Sequence, residues 1–228
     1  DYKFHNKHEK IVDSIYREVK FDGSKYLWTK EAEKIHGISL EHLEKFGNIY
    51  SEECGLRTTD KEYTIIIDPL DGSNNFYSKL PYYGTSVALQ YNGDTICGFV
   101  TNLVSGIIKY RAFDDKIKYF SIIKNKYFTP INILKTKISI FEKAYAYPKV
   151  ASLLSRNGIK FRSLGAVALS LSEATNYDFV LYYGIIRDFD VLAALYICKD
   201  LYIYKNDNIL IVSSNKEKFN LIKEVINQ

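Results

Sequence analysis

The stretch IIIDPLDGSNNF, Ile65 to Phe76, runs three isoleucines straight into two aspartates, Asp68 and Asp71, with Pro69 between them and Gly72 after them. With the residues before it, EYTIIID reads as a buried strand, because a short β-branched run favours the pleated conformation. Asp68 is expected to finish the strand. Pro69 fixes φ, Asp71 follows at the turn, and Gly72 takes backbone conformations closed to other residues. Such a bend holds two carboxylates on one side. They repel, and unless something positive sits between them one takes up a proton. A divalent cation removes that conflict, and hard oxygen ligands suit Mg²⁺. The backbone of Gly72-Ser73-Asn74 would then open a helix or a nest of N–H groups, a setting that favours phosphate.

Outward from this stretch the pattern is layered. Before it, residues 7–20 place Ile11, Val12, Ile15, Tyr16 and Val19 on one face of an amphipathic helix. Thr29 can cap a second helical stretch, and SLEHLEKFG reads as a short helix capped by Ser39 and stopped by Gly47. After it, TSVALQY-NG-DTICGFV reads as a hairpin about Asn92-Gly93, and GIIKYRAF and KIKYFSI continue an antiparallel sheet. Beyond residues 130–135 strands and helices alternate. KAYAY, IKFRSL and YDFVLYY read as strands, and PKVASLLSRNG, GAVALSLSEATN and DVLAALYICKD as helices. Strands near 201–212 and a helix over 215–227 close the chain. Alternating units of this kind argue a second, partly parallel sheet layered with helices. The expected division is an α+β part over 1–132 with the carboxylates and the antiparallel sheet, and an α/β part over 133–228. The two pack as one unit with the site between them.

Composition narrows the function. Of 228 residues 46% are hydrophobic and 25% charged, which is ordinary for a soluble globular chain. No apolar run reaches the roughly 18 residues of a membrane span, and the polar DYKFHNKHEK start is unlike a secretory signal. Cys54, Cys97 and Cys198 are odd in number and far apart, which argues against disulfides or zinc and for a reducing cytoplasm. A net charge of +4 suits an anionic small molecule, and no basic stripe interleaved with aromatics points to nucleic acid.

A Pro-x-Asp-Gly fragment alone is a common surface turn. The longer DPLDGSNNF closely resembles the signature of the inositol monophosphatase family of Mg²⁺-dependent phosphatases. YSEECG looks like that family's Gly-Glu-Glu segment, FRSLGAVALSLSEA like its Arg-x-x-Gly stretch, and RDFDVLAA like its second signature in the archaeal form. The likeness covers nearly the whole chain in order. It is nearest to the archaeal inositol-1-monophosphatase/fructose-1,6-bisphosphatase type.

The resemblance implies a layered αβαβα sandwich, an α+β fold. It implies metal ligation by Glu52, Asp68, Asp71, Asp190 and the carbonyl of Leu70, with two or three Mg²⁺ ions, or Mn²⁺ in their place. Glu53 is the alternative to Glu52, and Asp188 to Asp190. Gly72 and Ser73 would offer N–H groups to the phosphate, with Asp71 beside them. Arg162, Arg187 and Val167 would face the rest of the substrate. In the family the hydroxyl at the position of Ser73 orients the attacking water together with an aspartate. Here Thr29 stands in that aspartate's place, with Asp22 a candidate substitute. Phe189 replaces the usual Trp or Val of the second signature.

The implied activity is hydrolysis of inositol monophosphate, fructose 1,6-bisphosphate or both, by a homodimer. The rivals are a 3′-phosphoadenosine 5′-phosphate or NADP phosphatase of the same family, and a catalytically weak member kept for binding.

Overall fold

The computed structural model describes residues 43–113, 115–131 and 138–226. The helices expected over 7–20 and from Thr29 lie outside the described residues, as do Thr29 and Asp22. Of SLEHLEKFG only the end is described. There the amides of Phe46 and Gly47 turn back onto the carbonyl of Leu43, at 2.9 and 3.3 Å.

The first sheet has eight strands: β1 (Asn48–Ser51), β2 (Gly55–Arg57), β3 (Tyr63–Asp71), β4 (Gly84–Tyr91), β5 (Asp94–Asn102), β6 (Ile107–Ala112), β7 (Lys118–Ser121) and β8 (Lys126–Phe128). Their order is β2-β1-β3-β4-β5-β6-β7-β8. Pairing is antiparallel except between β1 and β3, which run parallel. The second sheet holds β9 (Ser139–Glu142), β10 (Phe161–Arg162), β11 (Val180–Tyr183), β12 (Tyr202–Lys205) and β13 (Ile209–Ser213), in the order β10-β9-β11-β13-β12. It is parallel through β10, β9 and β11 and antiparallel beyond. The described helices are α1 (Ser73–Tyr77), α2 (Pro148–Arg156), α3 (Val167–Ser172), α4 (Asp188–Ile197) and α5 (Lys216–Ile226).

The continuous apolar runs are strands buried on both faces. In β3, Ile65 and Ile67 enter one core with Leu89 and Phe99, while Ile66 points the other way into a core with Ala168, Val191 and Ala194. In β11, Val180 and Tyr182 face that same second core, and Leu181 enters a third with Leu154 and Ile222. Burying such a side chain stabilises by roughly 1.5–3 kcal/mol, so each strand is fastened from two sides. The layers follow: first sheet, α3 with α4, second sheet, then α2 with α5. This is a layered α+β fold. The segments expected to supply the outermost helical layer of the αβαβα order lie outside the described residues.

Helix α4 is apolar nearly all round because it lies inside. It packs on β3, β4, β5 and β6 and against α3. Gly98 of β5 makes this possible: a Cβ there would overlap the carbonyl oxygen of Ala193 and sit 3.0 Å from its Cα.

Three local expectations shift. β3 does not stop at Asp68 but continues to Asp71, with a register break against β4 between the two. KAYAY is not a strand. The strand is β9, one step earlier, and Lys143 at φ 59° ends it before a 3-10 turn over Ala144–Ala146. IKFRSL shrinks to the edge pair Phe161–Arg162.

Candidate active site

The acids of the site sit where strands end and a helix begins. Glu52 follows the last residue of β1, and the parallel register of Ser51 with Ile67 brings it beside Asp68. The register break in β3 has a geometric effect. Asp68 pairs with Ser86 but Asp71 with Gly84, so one extra residue is inserted. Strand side chains alternate, and residues three apart would otherwise face opposite ways. The bulge restores the phase, and both aspartates line one cavity. Pro69 suits the bulge because it has no N–H to pair. The hydroxyl of Thr85 donates to its carbonyl at 2.9 Å.

Asp190 arrives from the other side, in the first turn of α4. One carboxylate oxygen each from Glu52, Asp68 and Asp190 lies within 4.8 Å of the others. The cavity measures about 250 Å³ and is also lined by Leu70, Gly72, Ser73, Asn74, Val167, Lys143 and Arg187. Gly72 takes φ 87° at the start of α1.

Asp71 is only 5% exposed. Its two oxygens accept the amides of Val167 (2.8 Å) and Leu169 (3.1 Å), at the start of α3. Asp71 thus lines the cavity but stands outside the three-acid group.

Electrostatically these acids are strained. Burial drives the Asp68 carboxyl well above the ordinary carboxylate range, and the neighbouring Asp71, Asp190 and Glu52 push the same way. Burial also raises Asp71, opposed by the Leu169 amide. Asp190 is raised by burial in spite of Arg187. Among the described residues no Lys or Arg pairs with Asp68. Hard oxygen donors, converging and undercompensated, are the donor set of a hard divalent cation, so the residues present fit Mg²⁺.

The rivals within each pair separate. Glu53 bonds to Ser51 Oγ at 3.0 Å, and Asp188 faces Lys205 at 4.0 Å; neither lines the cavity. Arg162 is not brought to the cavity either. It lies on an edge strand, exposed, with its guanidinium turned onto the carbonyl of Phe161 at 2.9 Å. Arg187 is at the cavity but is engaged with its acids. Nε and Nη2 donate to Oδ2 and Oδ1 of Asp190 at 2.8 and 3.0 Å, and Nη1 donates to Glu52.

One acid escaped the sequence reading. Glu142, the last residue of β9, is 1% exposed and lines the cavity. It accepts from Gly165 N at 2.8 Å and from Ser170 Oγ at 2.5 Å. Its signal was the one used for Asp68: a carboxylate closing an apolar strand.

A layered α+β protein with an acid pocket where β1, β3 and α4 meet is the class that fold and site define. The model described as the inositol monophosphatase family matches residues 18–201, and the chain belongs to that family. It is 29% identical over 170 residues to a fructose-1,6-bisphosphatase/inositol-1-monophosphatase of Methanocaldococcus jannaschii, covering 72% of this chain and 64% of the relative. It is also 29% identical over 179 residues to a bifunctional NADP phosphatase/NAD kinase of the same organism, covering 70% of this chain and 27% of that one. The chain thus spans less than two thirds of the length of these relatives. Among solved structures, a hypothetical protein of Pyrococcus horikoshii with similarities to inositol-1 monophosphatase superposes with a TM-score of 0.69 at 20% identity, covering 100% of this chain and 99% of that one. The extragenic suppressor protein suhB of Bartonella henselae gives 0.68 at 17%, covering 86% and 82%. At these identities the likeness is one of fold.

Proposed function

We propose that this chain is a phosphomonoesterase that hydrolyses inositol monophosphate, fructose 1,6-bisphosphate or both, with Mg²⁺ as cofactor. The observation that carries this reading is the convergence of Glu52, Asp68 and Asp190 within 4.8 Å in a cavity that also holds Gly72 and Ser73. Glu52, Asp68 and Asp190 would hold one cation, with Asp71 and the carbonyl of Leu70 as further donors to a site of two or three ions. When bound, it neutralises the ester's charge and lowers the pKa of a water molecule. The chain's own residues do the rest. The backbone amides of Gly72 and Ser73 receive the phosphoryl oxygens. The Ser73 hydroxyl orients the attacking water, with Thr29 in the place where the family has an aspartate. Val167 borders the leaving group, and Lys143 and Arg187 supply positive charge to the remainder of the substrate. The parts over 1–132 and 133–228 act as one unit, because the acids come from both. A cytoplasmic homodimer completes the proposal. Consistent with it, no helix among the described residues is long and apolar enough to cross a membrane, and all three cysteines are free.

The test is phosphate release from inositol 1-phosphate, fructose 1,6-bisphosphate and NADP, with Mg²⁺ and with EDTA. Release from the first two, abolished by EDTA and by Asp68→Asn, is expected. Faster release from NADP would replace the substrate. No release from any ester by the folded protein would turn the reading to a binding protein.

A further inference from the structure

We propose that Arg187 is an internal counter-ion that latches the acid cluster and must leave before Glu52 and Asp190 are free to hold a divalent cation. The proposal rests on the metal reading above and adds to it a resident competitor for the same oxygens.

The guanidinium is seated as a fork. Two of its nitrogens take both oxygens of Asp190, at 2.8 and 3.0 Å, and the third reaches Glu52. Two of the three converging acids are therefore already neutralised by a group of fixed planar geometry. Asp68, the third, has no cationic partner among the described residues. The fork is also held from behind. Arg187 lies over the ring of Phe189 at 4.7 Å, and Phe189 meets Tyr50 edge-on at 5.5 Å. Phe189 is the residue that replaces Trp or Val in the second signature, so the departure in sequence and the platform under the guanidinium are one feature.

Arg187 remains able to move. Its side chain is 41% exposed at the cavity mouth and that of Glu52 is 39% exposed, so the arm to Glu52 is open to water and weak enough to exchange, while the arm to Asp190, whose carboxylate is 5% exposed, is the one that holds. A cation that needs these oxygens sees only the fraction of molecules with the latch open, and its apparent affinity falls by that fraction. A freed guanidinium stays tethered beside the cavity, where it can meet an anionic ligand. Cation and anion binding then support one another reciprocally.

Isothermal titration of Mg²⁺ into wild type, Arg187→Lys, Arg187→Gln and Phe189→Val tests this without turnover. Lysine keeps the charge but cannot span three oxygens, and Phe189→Val changes no charge at all. The latch predicts that all three variants bind Mg²⁺ about three- to tenfold tighter, the size expected of a latch closed most of the time. If Arg187→Gln alone binds tighter, the arginine is only a nearby charge and the proposal is overturned while the metal reading stands. If no variant differs from wild type, it is likewise overturned. If neither wild type nor variants bind Mg²⁺, the metal reading falls first and the latch with it. Circular dichroism identifies a variant that has lost the fold; should Phe189→Val do so, Arg187→Lys decides.

Discussion

At the scale of single residues, the phase of β3 depends on Pro69 and Thr85. Thr85 is 1% exposed, and its hydroxyl is the partner of the Pro69 carbonyl. Thr85→Val keeps the shape and removes the donor, leaving a buried carbonyl unpaired. A loss of about 1–2 kcal/mol is expected in urea unfolding, with weaker Mg²⁺ binding because the bulge that aligns Asp68 with Asp71 is loosened. Gly72 is constrained twice. Its φ is 87°, and an added Cβ would lie 3.0 Å from that of Ala166 and 3.1 Å from the carbonyls of Gly165 and Tyr82. Gly72→Ala should cost about 1–2 kcal/mol for the backbone alone and raise KM for a phosphate ester. Under the proposed function, in which Thr29 stands in an aspartate's place, Thr29→Asp would supply the missing carboxylate. A rise in kcat is the expected outcome, and an unchanged kcat would show that another group orients the water.

At the scale of elements, the approach of α4 to the first sheet sets the position of Asp190. Gly98→Ala puts a methyl onto the backbone of Ala193. Overpacking of this kind costs about 1–3 kcal/mol. The helix must lift, so the variant should bind Mg²⁺ more weakly although Gly98 does not line the cavity; unaltered affinity would mean that the helix slides without displacing Asp190. Elements were legible where the hydrophobic pattern was unambiguous. The isoleucine run of β3 and the Asn92-Gly93 hairpin are local signals. KAYAY misled because its tyrosines and its alternation suit a strand, while the chain had already turned at Lys143. That one-step error hid Glu142. The partnership of Arg187 with Glu52 joins residues 135 apart in the chain. It belongs to the tertiary fold, whereas the Arg187–Asp190 spacing could be read within one turn of helix.

At the scale of the whole molecule, the buried acids make stability depend on pH and on cation together. Asp68, Asp71, Glu142 and Asp190 are all raised above their ordinary values, each chiefly by burial. A raised folded-state value means that the proton is held more tightly in the folded protein than in the unfolded chain. That contribution is full below the ordinary values of 3.8 and 4.5 and is lost as pH climbs through the raised ones. The protein in EDTA should therefore lose Tm as pH rises from about 5 to 8. Under the proposed function Mg²⁺ would relieve the repulsion, so its effect on Tm should be larger at pH 8 than at pH 5. Calorimetry at the two pH values decides, and equal shifts would contradict the linkage.

Helix α4 carries Asp190 in its first turn and lies between the two sheets, with Val191, Ala194 and Ile197 fully enclosed. Its amides can meet solvent deuterium only when the sheets part, which makes it a candidate for the slowest-exchanging segment of the described chain. Opening at the β2 edge would release Glu52 first, whereas Asp68 and Asp190 would part only in the cooperative step that unfolds the native state.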